Sequence, residues 1–347
     1  MITVAIDAEH TRQTNAGGAR YSNSLARALR KRDDVTVVEL GGGEMVPRGT
    51  LQKKLLTARQ ELLWYPWLGR RRAAAAGADV YHCPTIRGPL TRGKPPLVVT
   101  VHDLVPLRFP ETMSTWNRFS SRATLRSVLD AADILIASSH NTADDLSSLL
   151  KIPESRIRVV WIGVDEIFFA PSPPPPLPAQ TKPFVLFVGT PEPRKNLQRL
   201  IGAMKELHAR GFPHRLVIAG AGGWGDVQLE GDFVERLGRV SDERLASLYA
   251  HASCLAIPSI YEGFGLPAVE AMAAGTPVVA GARGSLPEIT GNAAVLVDPY
   301  DTDAIASGIE RAIAERDRLI AVGQERAKQF SWGELAGKVA RVYREVV

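Results

Sequence analysis

Cysteine is nearly absent: Cys83 and Cys254 are the only two in 347 residues. They fall in what read as different domains, so no disulfide is expected and a reducing compartment, the cytoplasm, fits. Long apolar runs are missing too. No stretch is long enough to span a bilayer, and the opening M-I-T-V-A-I-D lacks the basic region and long apolar core of a signal peptide. Aromatic residues make up only 7%. None interleave with basic residues along a strand-like run, which argues against a nucleic-acid partner despite a pI near 9.3. No cluster of His, Cys or paired Asp suggests a metal site, and Asp-x-Asp occurs only as Asp301-Thr302-Asp303.

The charge that is present is uneven. Up to Ala170 there are 23 Lys and Arg against 17 Asp and Glu, while the remainder has 19 against 20. The net +5 thus belongs to the first half, where an anionic membrane surface or a phosphate-bearing acceptor is the expected partner. Its densest part is Arg48–Arg72, with seven basic residues plus Trp64, Tyr65 and Trp67 among leucines. That mixture suits a membrane interface, and a solvated helix followed by a loop fits the same residues.

Apolar, strand-like runs alternate with helical patterns. In the first half the strands are expected at Thr3–Ile6, Val35–Glu39, Val80–His82, Leu97–Val101, Ile134–Ala137 and Arg158–Trp161, with helices such as Tyr21–Lys31 and Thr142–Leu150 between them. Pro171–Pro178, P-S-P-P-P-P-L-P, interrupts the pattern and reads as a stiff linker. Strands resume at Phe184–Val188, Arg215–Ile218, Cys254–Ile257, Pro277–Ala280 and Ala294–Val297. The intervening helices are Leu197–Ala209, Asp242–His251, Leu266–Ala274 and Thr302–Ala314. The expected fold class is α/β, with two doubly wound domains at 1–170 and 183–330 joined by a linker at 171–182. A final helix opens at Ser331-Trp332 and covers 331–347. Ligands of such sheets sit beyond the carboxyl ends of the strands. Gly17-Gly18, His102-Asp103, Arg194-Lys195 and Glu262 all come after expected strands, so one cleft could collect them.

The richest segment runs from Ser259 to Val279, S-I-Y-E-G-F-G-L-P-A-V-E-A-M-A-A-G-T-P-V-V. Glu262 falls on the loop after a strand, and Glu270 is expected about two turns into the following helix, facing the same loop. The amides of Gly265 and Leu266 lie at the helix N-terminus, where an anion is stabilised. An anion site flanked by two carboxylates suits a diphosphate joined to a polyol. A second glycine run, Gly220–Gly225, satisfies G-x-G-x-x-G. The adjoining residues Asp226–Asp232 do not open an apolar-faced helix, so the run reads as a loop near a nucleotide and not as a dehydrogenase fingerprint.

The Glu262–Glu270 segment resembles the E-x7-E signature of retaining glycosyltransferases with the GT-B fold, family 4 (group 1). Val185–Leu197, V-L-F-V-G-T-P-E-P-R-K-N-L, is similar to that family's pyrophosphate loop. Gly281–Asp301, with G-S-L-P-E-I and D-P-Y-D, is similar to its next two segments. Thr100–Asp103 and Gly17-Gly18 resemble its N-terminal-domain sites. The resemblance implies two Rossmann-like domains facing a central cleft, the first binding acceptor and the second donor, with helix 331–347 packed back on the first. It implies a nucleotide diphosphate sugar as donor and no metal or other cofactor.

It also implies Glu262, His102 and Lys195 as the catalytic set. The donor-binding set would be Gly17, Gly18, Arg194, Lys195, Gly263, Phe264, Gly265, Leu266 and Glu270. Glu270 would hold the ribose hydroxyls and Glu262 would sit near the sugar. His102 would touch the sugar partly through its backbone carbonyl, without serving as a general base. One position departs from the family pattern: Thr190 stands where an arginine directly follows the glycine, and Arg194 is its candidate replacement. P-R-K-N-L and V-H-D-L-V-P-L-R-F-P-E resemble mannosyltransferases of bacterial polysaccharide assembly. That likeness implies GDP-mannose as donor and a glycan or lipid-linked acceptor at the cytoplasmic membrane face. A UDP-hexose transferase, a nucleotide-sugar isomerase of the same fold and an inactive binding protein remain alternatives.

Overall fold

The computed structural model describes residues 1–13, 17–44, 46, 49–109, 124–169, 182–222 and 231–347. The chain divides into two compact units, Met1–Gly163 with Trp332–Val347, and Val164–Ser331. The proline run Pro171–Pro178 lies outside the described residues, as do Arg48 and Gly223–Gly225.

Unit 1 is built on six strands, β1 (Ile2–Asp7), β2 (Val35–Leu40), β3 (Val80–Cys83), β4 (Leu97–Val101), β5 (Ile134–Ala137) and β6 (Ile157–Val159). They pair in parallel in the order β2-β1-β3-β4-β5-β6. Every residue of β3, β4 and β5 is buried, as parallel strands covered on both faces require. The helices are α1 (Gly17–Arg30), α2 (Leu51–Arg59), α3 (Gly69–Ala75), a short α4 (Val105–Arg108), α5 (124–131), α6 (His140–Leu150) and α13 (Trp332–Arg344). A π-helical segment, Gln60–Leu68, joins α2 to α3 with Pro66 inside it. This continuous helical run replaces the helix and loop that Arg48–Arg72 suggested.

Two polar knots sit inside unit 1. The buried Asp7 carboxylate accepts from Trp64 Nε1 at 2.8 Å, from Glu9 N at 2.9 Å and from the Tyr81 hydroxyl. Burial still prevails over these bonds and pushes its pKa up to about 6. The buried His82 imidazole lies 2.7 Å from the Tyr343 hydroxyl of α13 and 2.8 Å from the Thr100 hydroxyl. Burial drives its pKa down to about 3, so the ring is neutral. Gly163 makes room for α13, since a Cβ there would lie 2.6 Å from the Trp332 ring.

Unit 2 repeats the theme with β7 (Phe184–Val188), β8 (Arg215–Ala219), β9 (Val234–Gly238), β10 (Cys254–Ile257), β11 (Val278–Gly281) and β12 (Ala294–Val297). Their order is β12-β11-β10-β7-β8-β9, all parallel. The helices are α7 (Leu197–Ala209), α8 (Asp242–His251), α9 (Leu266–Ala273), α10 (Leu286–Thr290), α11 (Thr302–Ala314) and α12 (Arg316–Ala327). Leu200, Met204 and Leu207 of α7 share one buried cluster with Ile305 and Ile309 of α11. Each such side chain contributes roughly 1.5–3 kcal/mol by leaving water, and Leu200→Ala would cost about 2–5 kcal/mol. The doubly wound α/β architecture expected from the alternating pattern holds in both units.

Renumbered from its own first strand, unit 2 has the order 3-2-1-4-5-6 of dinucleotide-binding sheets. Unit 1 has the flavodoxin-like order 2-1-3-4-5 with a sixth strand added. The order reverses between β7 and β10 in unit 2 and between β1 and β3 in unit 1. Loops leaving those strands diverge there and open a crevice.

Candidate functional site

In unit 2 the loops at the reversal are 189–196, after β7, and 258–265, after β10. Gly189 has φ +150, and Gly220 is required beside it: a Cβ on Gly220 would collide with the Gly189 carbonyl. The first glycine of the 220–225 run thus packs two strand ends together. The 189–196 loop ends in Asn196, in the left-handed region at φ +60. Asn196 Nδ2 donates to the carbonyls of Pro258, at 3.0 Å, and Pro299. Ile260 N donates to the Arg194 carbonyl at 2.8 Å. These bonds fix the two loops to each other, and the charged side chains meet on that frame.

Glu262 is nearly buried, at 6% exposure. Lys195 Nζ lies 2.6 Å from Oε1, Ser259 Oγ donates to the same oxygen at 2.8 Å, and Arg194 reaches Oε2 at 3.3 Å. Burial alone would raise the Glu262 pKa, but the Lys195 and Arg194 charges and the two short hydrogen bonds outweigh it and hold the pKa below its ordinary value. Arg194 also donates to Glu192 Oε1 at 2.6 Å and to the Tyr261 carbonyl at 3.1 Å. Burial, with Glu262 adding to it, raises the Glu192 pKa against the pull of Arg194 and Lys195. The result is a cluster of two carboxylates and two cations at the reversal of the sheet, able to exchange an internal anion for an incoming one.

Gly265 precedes α9 at φ +93, where a Cβ would also press on Leu286 at 2.6 Å. The helix starts at Leu266, so Glu270 stands about one turn into it, closer to its start than the expected two. Its buried carboxylate accepts from the Tyr249 hydroxyl of α8 at 3.0 Å. Phe264 turns its ring into the interior against Phe330, with centroids 5.8 Å apart, which leaves Phe264 its backbone for contact with a ligand. Gly263 is buried in the same turn. Asp301 caps α11 by accepting from Ala304 N at 3.1 Å, a structural use of the Asp-x-Asp element. Among the described residues no three His, Cys, Asp or Glu side chains gather as metal ligands.

In unit 1 the reversal holds a cavity of about 390 Å³, lined by His10, Gly18, Thr85, Arg87, His102 and Asp103 among others. Gly17 and Gly18 form the first turn of α1, which therefore starts four residues before the expected Tyr21. His10 Nε2 lies 3.4 Å from the Gly18 carbonyl, and burial lowers the His10 pKa to about 4. His102 comes directly after β4, with Nε2 at 3.0 Å from the Pro84 carbonyl. Its own carbonyl accepts from the hydroxyls of Ser138 at 2.8 Å and Thr142 at 3.3 Å. Both acceptor positions of that carbonyl are filled, so His102 offers the cavity its imidazole, kept neutral by burial.

The sequence model of the Glycosyl transferases group 1 family matches residues 171–330, and that of Glycosyltransferase Family 4 matches residues 16–168. O-antigen chain mannosyltransferase B of Escherichia coli is 34% identical over 313 residues, covering 82% of this chain and 81% of that one. The chain belongs to the group 1 glycosyltransferases. Sucrose-phosphate synthase from Thermosynechococcus elongatus shares the fold of this glycosyltransferase at a TM-score of 0.74, with 23% identity over 99% of each chain. Anabaena HepE in complex with UDP-glucose does so at 0.71, with 19% identity over 99% of this chain and 100% of its own. The shared architecture is GT-B.

Of the residues singled out in the sequence of this glycosyltransferase, Arg194, Lys195 and Glu262 meet in one network. Gly18 and His102 meet at the unit 1 cavity. Glu270 is held by α8 in the interior of unit 2. Sequence reasoning passed over Glu192, Ser259, His10 and Arg87. Glu192 had a signal, an acid two residues before Arg194 between prolines that bar a regular helix there. Arg87 had none, because it sits on an irregular stretch whose neighbours are set by the fold alone.

Proposed function

We propose that this glycosyltransferase moves a hexose from a nucleotide diphosphate sugar to a glycan or lipid-linked acceptor in the cytoplasm, with retention at the anomeric carbon and without a metal. The observation that carries the reading is the Lys195–Glu262–Arg194 network at the reversal point of a dinucleotide-type sheet. An arriving diphosphate competes with Glu262 for Lys195, and the released carboxylate can accept hydrogen bonds from sugar hydroxyls. The anomeric carbon–phosphate oxygen bond breaks. The acceptor hydroxyl oxygen bonds to the same face, and its proton passes to the departing diphosphate. Glu262 positions the sugar, Lys195 stabilises the leaving charge, and His102 is assigned to contact with the sugar. The backbone of Gly263, Gly265 and Leu266 is assigned to sugar or phosphate, and Glu270 to the ribose.

The donor we favour is GDP-mannose. The P-R-K-N-L segment and the name of the Escherichia coli relative, a mannosyltransferase, support it. The HepE complex, which holds UDP-glucose, makes a UDP-hexose the second reading. NMR and mass analysis of products from a panel of GDP- and UDP-sugars, with and without EDTA, tests the donor, the transfer and the metal independence. Sugar transfer or donor hydrolysis that survives EDTA and falls at least a hundredfold in Lys195→Ala is the expected outcome. Epimer formation, or no turnover of any donor, defeats the transferase reading, and rescue by added Mg²⁺ defeats the metal-free one.

A further inference from the structure

The run from Leu51 to Ala75 buries one side and leaves the other bare. Leu56, Gln60, Trp64, Tyr65, Gly69 and Ala73 face the interior. Leu51, Leu55, Leu62, Leu63 and Trp67 face solvent, with exposures from 52% to 71%. Leu51, Leu55 and Leu62 keep the spacing of one α-helical face. Trp67 would not join them on a regular helix, because about four and a half α-turns separate it from Leu51 and would put it on the far side. The π-helical segment Gln60–Leu68 removes that discrepancy. Its wider turn, closed by i→i+5 bonds, delays the rotation and returns Leu63 and Trp67 to the leucine row. Trp64 stays on the buried face with Gln60, four residues before it, and donates to Asp7.

The charge around the row has one sign. Residues 51–75 contain Lys53, Lys54, Arg59, Arg70, Arg71 and Arg72 against a single acid, Glu61. Glu61 is itself paired with Arg87 at 3.5 Å. Lys54 and Arg71 are exposed in the same run as the apolar row. Single exposed leucines are ordinary, but a contiguous row that includes a tryptophan and is accompanied by cations is a docking surface.

We propose that this face seats unit 1 on an anionic lipid surface, with Leu51, Leu55, Leu62, Leu63 and Trp67 entering the headgroup–acyl boundary and Lys54 and Arg71 engaging lipid phosphates. A lipid surface fits better than a protein partner because exposed cations accompany the apolar row while the single acid of the run is paired with Arg87, the pattern of a helix lying in an anionic interface. The inference does not depend on the transfer reaction.

Co-sedimentation of the full chain with phosphatidylcholine vesicles, with and without phosphatidylglycerol, tests it. Wild type should bind the anionic vesicles preferentially and lose binding as salt rises. Leu62→Ser/Leu63→Ser/Trp67→Ser should lower the partition coefficient at least tenfold with an unchanged melting temperature, because these side chains support no core. Lys54→Ser/Arg71→Ser should lower it about fivefold for each charge removed. Leu51→Ser/Leu55→Ser, on the regular α-helical turns, provides a second apolar variant in case the first perturbs the π segment. Equal binding of wild type to both vesicles, binding to neither, or full retention by both apolar variants overturns the proposal. So does a wild-type dimer, seen by light scattering, that the apolar variants dissociate, since the face would then be a contact between copies of the chain.

Discussion

The two reversal points use the same topological device and furnish it differently. In unit 2 the crevice is filled with charge: Lys195, Arg194, Glu192 and Glu262 neutralise one another inside a frame of backbone contacts. In unit 1 it is left open, as a cavity where the neutral imidazoles of His10 and His102 stand beside Asp103 and the Arg87–Glu61 pair. A preorganised charge network is what stabilises a departing diphosphate, whereas an open cavity admits a polyol. The glycines divide in the same way. Gly220 and Gly281 in unit 2 face carbonyl oxygens that a Cβ would strike, while Gly17 has nothing within 4 Å and Gly18 meets only Thr85 Cγ2 at 3.7 Å.

That division can be broken most forcefully at the glycines. Gly220→Ala and Gly281→Ala should each prevent unit 2 from reaching its native packing, because neither the Gly189 nor the Ser259 carbonyl can retreat without pulling a strand end with it. Well-dispersed amide NMR signals and a native melting transition in either variant would show that the close approach is dispensable.

The charge network offers a sharper cut. Arg194→Ala leaves Glu262 with Lys195 and Ser259 but strands the buried Glu192 carboxylate, and should destabilise unit 2 by about 3–5 kcal/mol. Lys195→Ala leaves Glu262 with Arg194 and Ser259 and should cost about 1–2 kcal/mol, yet it should slow transfer more. Calorimetry and initial rates on both variants decide. If Arg194→Ala is the milder in stability, the guanidinium is not the keystone that its contacts suggest.

Unit 1 should show its own acid sensitivity. The folded pKa of His82 is about 3, below the ordinary 6.5, so its stabilising effect is complete above pH 6.5 and is lost as pH falls toward 3. From pH 6.5 to 5 the loss is about 2 kcal/mol. His10, lowered to about 4, acts in the same direction. Asp7, raised to about 6, acts in the opposite one, because its stabilising effect fades as pH climbs from about 4 to 6. Urea unfolding followed by tryptophan fluorescence reads unit 1, which holds Trp64, Trp67, Trp116, Trp161 and Trp332 of the six tryptophans. His82→Gln should flatten the acid slope, and an unchanged slope would assign it elsewhere.

The smallest effect is expected at Gly17 and Gly18. Alanine at either should stabilise α1 by about 0.5–1 kcal/mol, since the backbone is helical and the space is free. A loss of activity alongside that gain would mean that the glycines serve ligand approach, and an unaltered rate would make them mere helix residues.

Elements with a dense apolar face were readable from sequence to the residue: Leu197–Ala209, Asp242–His251, Cys254–Ile257 and Thr302–Ala314 occupy the expected spans. β9, V-E-R-L-G, was not. It is an edge strand with no fully buried residue and carries no apolar run. α12 buries only Leu319, Gly323 and Ala327 beneath a charged surface, so its periodicity is faint. β6 lies at Ile157–Val159, slightly before the expected Arg158–Trp161, because its edge position demands a single partner strand. At the site, Lys195 and Glu262 were legible through motif and position. Their direct pairing was not, since two residues far apart in sequence meet only when β7 and β10 become neighbours. The π-helical register shift at Gln60–Leu68 likewise leaves no trace in a pattern read at a fixed helical period.

The strand β3 is made early, but its buried His82 finds the Tyr343 hydroxyl only after every residue of unit 2 has been synthesised. Domains generally fold as units in the order they leave the ribosome. Here the first unit to emerge cannot close first: the place of α13 against α1 stays vacant while β7 to α12 are translated. The nascent chain therefore exposes the apolar face awaiting Leu335, Val339 and Val342, and chaperone occupancy during synthesis should persist until α13 clears the exit tunnel. A gene rearranged to place α13 ahead of β1 would free unit 1 from that wait.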